Sequence, residues 1–221
     1  MAGSPMSTEG TVPPGILLNK LLVEAGSAEL NADETTRLEI YLSLFVRWNS
    51  RTNLSSVREP EAIVSRHLVE SVVCARHLPV GISTLLDFGS GGGLPGIPIA
   101  ICRPELSVTL AESQGKKAAF LQEAVRTLAL SAGVFAGRAE ALTLRFDCVT
   151  LRAVDKMAVA VASAAQLISP GGWLALMTTQ QDAPMLQKAA GGEYEWATAV
   201  LLPGSTERIL QLGRRIAAPT T

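Results

Sequence analysis

An aspartate and a cluster of glycines stand where one apolar segment ends and another begins. In the segment LLDFGSGGGLPGIPIAI, residues 85–101, Asp87 is followed by Gly89, Gly91 and Gly93, which form the spacing GxGxG. Glycines allow backbone amide groups to approach a ligand closely and permit positive φ angles. A plain tight turn would need fewer glycines, so this turn is predicted to lie against a bound molecule.

A second acid follows at a distance that suits a nucleoside ligand. Glu112 ends the apolar segment LSVTLAE, 19 residues after Gly93. A carboxylate at this place can accept hydrogen bonds from both hydroxyls of a ribose. The alternative is an exposed acid at the end of a strand, without a ligand.

Two classes of ligand use such a turn. A dinucleotide requires GxGxxG, with its pyrophosphate at the helix N-terminus. Here Leu94 stands at the place of the third glycine, and Pro95 and Pro98 crowd the start of the next helix. An acid, then GxGxG, then Glu112 fits S-adenosylmethionine better, so S-adenosyl-L-methionine is the predicted cofactor.

A parallel sheet would position these residues. From Ile82 onward, short apolar strands alternate with helical segments. This alternation predicts an α/β fold with a mostly parallel sheet covered on both faces, and ligands of such sheets bind at the carboxyl ends of the strands. The motif PGG is expected to be a turn before the strand WLALMTT. The final segment, EWATAVLLPGSTERILQLGRR, predicts two strands around a Pro-Gly turn, paired antiparallel at one edge of the sheet.

The first part of the chain has a different texture. Residues 1–15 are expected to be a disordered tail, residues 16–80 a helical extension, and residues 81–221 the cofactor-binding domain. In DETTRLEIYLSLFVRWNS, apolar residues recur at three- and four-residue steps, which predicts an amphipathic helix capped by Asp33. PEAIVSRHLVESVVCARHL begins with proline, as helices often do.

Composition excludes several classes of protein. The 221 residues are 48% hydrophobic and 18% charged, with a net charge of −1, so a nucleic-acid surface would have to be a local patch. No apolar run approaches the roughly 20 residues that span a bilayer, so no membrane association is expected. Cys74, Cys102 and Cys148 are far apart in apolar surroundings, which favours buried thiols in the cytoplasm over a metal site or a disulfide.

Arginines concentrate in one segment. Six lie between Arg37 and His77, against four glutamates, together with both histidines of the chain. Guanidinium groups suit phosphates through bidentate geometry, so Arg58 and Arg66 are candidate RNA contacts, and His67 is either a substrate contact or a structural histidine. Trp48 lies beside the polar loop, where it either stacks on a base or belongs to the core.

Taken together, the motifs resemble a known family. Four segments are similar, in this order, to the bacterial RsmG (GidB) family of 16S rRNA methyltransferases. They are WNSRTNLSSVREPEAIVSRHLVESV, the glycine-turn segment through GKKAAFL, GRAEAL and DCVTLRAV. The resemblance covers roughly residues 16–215. It implies a class I methyltransferase (Rossmann-like) fold with an N-terminal helical extension. The implied activity is methyl transfer from S-adenosylmethionine to N7 of one guanosine in 16S rRNA, within the small ribosomal subunit or its precursor, by a protein expected to be monomeric.

Site residues follow from the resemblance where the motifs match. Gly89 and Leu94 resemble the cofactor contacts of the glycine turn, and Glu112 resembles the ribose acid. Ala139 and Glu140 resemble the pair that frames the adenine, with Arg138 beside them. The chain departs from the family pattern after the fifth strand, where LMTTQQD replaces the usual lysine–glycine pair.

Arg152 is a candidate for both the catalytic and the cofactor-binding residues, near the transferred methyl group. In the functional interpretation it orients guanine O6 or a phosphate. In the structural interpretation it is a strand-end arginine paired with Asp147 or Asp155.

Two other functions stay open at this point. A nicotinamide-dependent oxidoreductase uses a related sheet, but the third glycine and a catalytic Tyr/Lys or His pattern are missing. A non-catalytic RNA-binding protein with a disused cofactor pocket is disfavoured because Gly89, Glu112, Glu140 and Arg152 are all present.

Overall fold

The computed structural model describes residues 12–216. The helices are α1 Pro14–Glu24, α2 Ala32–Thr52, α3 Pro60–Ile63, a π-helical turn Val64–Leu68, α4 Val69–His77, α5 Gly96–Cys102, α6 Gly115–Thr127, a 3₁₀ turn Ala139–Ala141, α7 Met157–Gln166 and α8 Ala183–Ala190. The strands are β1 Thr84–Phe88, β2 Ser107–Ala111, β3 Ala132–Phe135, β4 Phe146–Arg152, β5 Ile168–Thr179, β6 Tyr194–Trp196, β7 Val200–Leu201 and β8 Arg208–Arg215. Most of the expected tail, residues 1–11, lies outside the described residues, and α1 begins slightly before the expected boundary.

The strands form one sheet in the order β3-β2-β1-β4-β5-β8-β6, with β7 paired to β8. The first five strands in the chain are parallel to one another, and β8 is antiparallel to β5, β6 and β7. The predicted α/β class, the mostly parallel sheet and its antiparallel edge are therefore confirmed. The strand order reverses between β1 and β4, the switch point at which such sheets bind ligands.

The motif PGG is not a turn before the strand, contrary to the expectation, because it lies inside strand β5. Strand β5 begins at Ile168, which pairs with Phe146, and the next registered pair is Trp173 with Cys148. The β5 side thus spans more residues than the β4 side between these two pairs, so Pro-Gly-Gly forms an irregularity inside the strand. Gly171 takes a φ of +77° there, a value that L side chains rarely adopt.

The helical extension packs on the sheet domain through α2. Its N-cap is Asn31 rather than the expected Asp33, because Asn31 and Glu34 form a reciprocal capping box. Tyr41 and Phe45 on α2 pack with Phe120 on α6, at ring separations of 6.4 and 6.1 Å. The Tyr41 hydroxyl donates to the carbonyl oxygen of Gly92 in the glycine turn. The extension therefore supports the turn from behind.

Candidate functional site

The glycine turn follows β1 at the switch point. Gly89 and Gly91 have φ angles of +72° and +56°. A Cβ at Gly89 would lie 3.1 Å from Val154 Cγ2, so the position is tight as well as left-handed. Gly93 serves packing instead: its Cβ would lie 2.6 Å from Ile97 Cγ1, and Gly93 does not line the cavities beside the turn. The glycine spacing thus has two causes: Gly89 and Gly91 face a cavity, whereas Gly93 faces the core.

Glu112 joins the end of β2 to the glycine turn. One carboxylate oxygen accepts from the Gly91 amide at 2.8 Å, and the other accepts from the Gln114 amide at 2.7 Å. The residue is only 6% exposed. Each carboxylate oxygen can accept more than one hydrogen bond, so Glu112 can hold the turn and still accept from a ligand.

Asp87, the acid before the glycines, is buried behind the turn and does not line the two cavities beside it. It accepts from the Thr150 hydroxyl at 2.8 Å and from the Gly96 amide at 3.2 Å. Burial raises the pKa of Asp87 to about 6, although these hydrogen bonds oppose the shift. Asp87 therefore joins β1 to β4 and to the start of α5.

Two connected cavities lie over the carboxyl ends of β1, β2 and β4. The glycine-turn cavity, of about 410 Å³, is lined by the turn with Leu94, Lys117 and Arg152. The Ala139 cavity, of about 330 Å³, is lined by Ala139 and Glu140. Both cavities include Gly89 and Glu112 in their walls, so they form one elongated cleft. Volumes of this size suit a small-molecule ligand, for which roughly 300–1,000 Å³ is usual.

A polar loop of the extension, residues 53–57, covers one end of this cleft. Asn49, 2% exposed, donates to the Val57 carbonyl at 2.8 Å and accepts from the Ser55 amide at 2.9 Å. Leu54 and Ser55 then line the glycine-turn cavity. Part of the motif WNSRTNLSSV thus builds a wall of the site, a role that the sequence analysis did not assign to it.

Arg152 lies at the carboxyl end of β4, where it was expected, but its partner is different. It donates to the Glu70 carboxylate at 2.7 Å and to His67 Nδ1 at 2.9 Å. Asp147, one of the expected partners, instead accepts from the amides of Ser83 and Thr84 at the opposite end of β4. The structural interpretation, in which Arg152 pairs with Asp147 or Asp155, is therefore wrong, because the side chain of Arg152 points toward the helical extension.

His67 lies in the π-helical turn and is held neutral. Its Nδ1 faces an arginine, which can only donate, so Nδ1 accepts and Nε2 carries the proton toward Ser55 Oγ at 3.0 Å. Burial, followed by the positive charges of Arg152, Arg66 and Arg208, lowers the pKa of His67 to about 3. His67 is therefore a hydrogen-bonding link and has no cationic form near neutral pH.

A third cavity, the Arg66 cavity, continues the cleft beyond this wall. It has a volume of about 490 Å³, and its lining includes Arg66, Arg208, Met157 and Met177. It shares Leu54, Ser55, His67, Arg152 and Ala153 with the glycine-turn cavity. The site is thus a continuous cleft with Arg152 and His67 at the junction of its two ends.

Comparisons with known proteins identify the family. Residues 34–198 match the model of the GidB family, described as rRNA small subunit methyltransferase G. The chain belongs to this family. Relatives named ribosomal RNA small subunit methyltransferase G include one from Xanthomonas campestris pv. campestris, 45% identical over 76% of this chain and 80% of the relative. Another, from Stenotrophomonas maltophilia, is 40% identical over 82% of this chain and 88% of the relative.

Solved structures support the fold assignment. An O-methyltransferase from Bacillus cereus in complex with SAH superposes with a TM-score of 0.59 at 16% identity, over 80% of this chain and 90% of that one. A predicted O-methyltransferase from Agrobacterium tumefaciens gives 0.57 at 19% identity, over 66% and 80% of the two chains. The class I methyltransferase fold implied by the resemblance is confirmed, and family membership decides against the oxidoreductase.

Within this family member, the arginine-rich segment divides into two groups. Arg37 pairs with Asp33, Arg47 pairs with Glu123, and Arg76 donates to carbonyl oxygens of the loop after α1. These three arginines stabilise the fold. Among residues 12–216, Arg51, Arg58 and Arg66 form no salt bridge. Arg66 lines the third cavity, whereas Arg58 is exposed outside the three cavities and donates to Asn53 at 2.9 Å.

Trp48 and the cysteines have structural roles. Trp48 packs on Phe120 and donates to Glu123 at 3.1 Å, which favours the core interpretation over base stacking. Cys74 and Cys148 are buried, and burial raises the pKa of the Cys74 and Cys102 thiols to about 12. In the described part of the chain, no cluster of His, Cys, Asp and Glu is arranged to hold a metal ion, and no helix could cross a membrane.

Glu70 and Arg208 were missed by the sequence interpretation. Both line the third cavity, and Glu70 accepts from Arg208 Nε at 2.6 Å. Glu70 could have been noticed as an acid on an otherwise apolar helix face, beside Val69 and Val72. Arg208 gave no such signal, because its position depends on how β8 pairs with β5.

Proposed function

We propose that this family member transfers a methyl group from S-adenosylmethionine to N7 of a guanosine in 16S rRNA. The observation that carries the proposal is the continuous cleft, in which a small-molecule end joins an arginine-lined end at Arg152. Relatives at 40–45% identity are named as small-subunit rRNA methyltransferases.

The first end of the cleft has groups that fit the cofactor. Gly89 and Gly91 leave the turn without side chains, and the Glu112 carboxylate keeps acceptor capacity for a ribose diol. Ala139 and Glu140 would frame the adenine, and Leu94 would contact the ligand from the turn. Lys117 lies in the same cavity, where an ammonium group suits a carboxylate.

The chemistry requires alignment more than acid–base catalysis. When bound, S-adenosylmethionine supplies an electrophilic methyl group on a positively charged sulfur. Guanine N7 has an in-plane lone pair and no proton, so a general base is not needed. The neutral state of His67 is compatible with this requirement, since His67 here fixes Arg152 rather than taking a proton. The chain must hold the nucleophile within about 3–3.5 Å of the methyl carbon.

Arg152 is the residue that we assign to this alignment. Its hydrogen bonds in the structure use Nη1 and Nη2, and Nε has no partner among residues 12–216. A fixed guanidinium with a donor to spare can orient guanine O6, the acceptor adjacent to N7. Arg152 would not stabilise the charge that develops on guanine, because that charge is positive.

The second end of the cleft would hold the RNA. Arg66 would contact phosphate there, with Arg58 farther out and His67 at the inner wall. The missing lysine after β5 is offset by the neighbouring strand, because Thr179 pairs in register with Arg208. A net-negative chain with few free cations should bind naked RNA weakly. The substrate is therefore the small subunit or its precursor, which would place the protein in the cytoplasm, and we expect it to act as a monomer.

One experiment tests the proposal. The protein is incubated with methyl-labelled S-adenosylmethionine and small subunits from cells that lack this methylation, and the modified nucleotide is mapped by mass spectrometry of rRNA digests. We expect one 7-methylguanosine in 16S rRNA, and subunits that already carry the modification should take no label. Label at another base, at another atom of guanine, or in no RNA would contradict the proposal.

A further inference from the structure

A buried carboxylate connects two of the arginines that line the substrate end, Arg152 and Arg208. Glu70 on α4 is 1% exposed, and its two oxygens accept separately from Arg152 Nη2 at 2.7 Å and from Arg208 Nε at 2.6 Å. The three residues come from the helical extension, from β4 and from β8. Glu70 therefore joins three segments that are distant in the sequence, at the wall of the Arg66 cavity.

The electrostatics of this group are unusual for a core. A buried ion pair seldom stabilises a fold more than apolar side chains of similar volume would, because desolvating the charges is costly. Two guanidinium groups on one carboxylate also leave a net positive charge, although the Arg208 side chain is partly exposed. Burial lowers the pKa of Arg152, and the Glu70 carboxylate opposes that shift. The arrangement therefore indicates that Glu70 serves to hold the arginines in a fixed geometry rather than to increase the stability of the fold.

The neighbours of Arg152 cannot replace Glu70. His67 Nδ1, the Arg66 carbonyl at 3.3 Å and the Ser71 hydroxyl at 3.4 Å are neutral acceptors, and two of these contacts are long. Within residues 12–216, Glu70 is the acid that forms a salt bridge with Arg152. Without its charge, two like charges would face each other across the wall and turn toward the open cavity.

We propose that Glu70 is a positioning residue for methyl transfer: it fixes the guanidinium groups of Arg152 and Arg208 where the target base must meet the methyl group. This role rests on the proposed function. It predicts a split between binding and rate, because a carboxylate that only holds arginines in place adds nothing to RNA affinity.

The first test uses Glu70→Gln, which keeps the shape and removes the charge. With saturating cofactor and unmodified subunits, its single-turnover rate per folded molecule should fall about 10- to 100-fold, as expected for lost alignment. The dissociation constants for S-adenosylhomocysteine and for subunits should stay within about threefold of wild type. Glu193→Gln is the matched control, since it breaks the 3.0 Å pair with Arg215 at the sheet edge and should change none of these values.

The second test does not depend on methyl transfer. In protein labelled with ¹⁵N-arginine, the guanidinium protons of Arg152 and Arg208 should exchange slowly with solvent, with assignment by Arg152→Lys and Arg208→Lys. The slow signals should disappear in Glu70→Gln and remain in Glu193→Gln. If the wild-type protein shows the slow signals but transfers no methyl group to any subunit, the proposed function is wrong, whereas the fixing of the two arginines by Glu70 stands.

Two outcomes would overturn the proposal. One is slow arginine signals that persist in Glu70→Gln, and the other is a wild-type rate per folded molecule in that variant. If Glu70→Gln does not fold, Glu70→Asp replaces it: the shorter acid keeps the charge, so the rate should fall only severalfold and the signals should weaken. A wild-type rate and unchanged signals in Glu70→Asp would then overturn the role.

Discussion

The two ends of the cleft are built from different materials. The proposed cofactor end is centred on a left-handed glycine turn and one carboxylate, Glu112, which lie close together in the sequence. The proposed substrate end brings together charged side chains from the extension, β4 and β8, which Glu70 joins. We infer that cofactor binding and methyl transfer respond to different substitutions, and each prediction below tests that separation.

The largest effect is expected at the glycine turn. Gly89→Val should abolish the rise in melting temperature with S-adenosylhomocysteine, a stabilisation of about 2.7 kcal/mol at 100 times the dissociation constant. A valine at this position would have to keep a left-handed φ of +72°, and its Cβ would lie 3.1 Å from Val154 Cγ2. Gly204→Val is the matched control, because Gly204 has a φ of +66° with open space around it. Both variants should lose about 1–2 kcal/mol to backbone strain, but only Gly89→Val should lose the shift.

The next effect concerns Glu112. Glu112→Gln should weaken cofactor binding by roughly 10- to 100-fold, the equivalent of about 1.5–3 kcal/mol for a charged hydrogen bond. One carboxylate oxygen becomes an NH₂ group, which cannot accept from the amide of Gly91 or Gln114. Isothermal titration with S-adenosylhomocysteine measures the change. Unaltered affinity would remove Glu112 from the cofactor site and leave it as a support for the turn.

A smaller effect is expected at the outer arginines. Arg66→Glu should raise the apparent KM for subunits severalfold and reduce the salt dependence of binding, since a phosphate contact is lost. Arg58→Glu should do less, because Arg58 lies outside the Arg66 cavity. Lys20→Glu makes the same charge change on α1 and should leave KM unchanged. An equal loss of cofactor affinity in Arg66→Glu would show that the two ends are not separable.

The smallest effect is a pH dependence of stability. The folded-state pKa of His67 is about 3, below its ordinary value of 6.5, so between these values the unfolded chain binds one more proton. This residue's contribution to the free energy of unfolding is therefore complete above pH 6.5 and falls as pH falls, by up to about 1.4 kcal/mol per pH unit. His67→Asn keeps an acceptor for Arg152 but does not titrate. In denaturant titrations from pH 7 to pH 5, the free energy of unfolding of this variant should therefore fall less steeply with pH than that of the wild type. An identical slope in the variant would contradict a buried neutral His67.

The geometry of the glycine turn could be predicted from the sequence because its requirements are local. Glycine residues indicate where the backbone takes left-handed φ angles, and the position of Glu112 indicates where the second strand ends. Even there, the role of Gly93 was misjudged, since a glycine that admits Ile97 and Leu121 looks the same in sequence as one that admits a ligand. The irregularity at Pro-Gly-Gly was missed for a similar reason, because turn residues also occur inside interrupted strands.

The ion pairs of the substrate end could not be predicted, because tertiary contacts between distant segments create them. Arg152 was correctly placed at the end of β4, but its partner was sought nearby in the sequence, at Asp147 or Asp155. The real partner, Glu70, lies 82 residues away on α4. Arg208 reaches the cavity only through the antiparallel register of β8 with β5, where it lies opposite Thr179. The residue pattern of one sequence predicts neither the contact between Arg152 and Glu70 nor the register of β8 with β5.

The separation of the two ends is tested most directly on Arg152→Lys. We would measure, on one preparation, the dissociation constant for S-adenosylhomocysteine and the single-turnover rate of methyl transfer to small subunits, both per folded molecule. A lysine keeps the positive charge but not the planar fork, so we predict an unchanged dissociation constant and a rate lowered by about 10²-fold. A rate equal to wild type would contradict the account by removing Arg152 from the alignment of the base. A parallel loss of cofactor affinity would contradict it by showing that the two ends act as one.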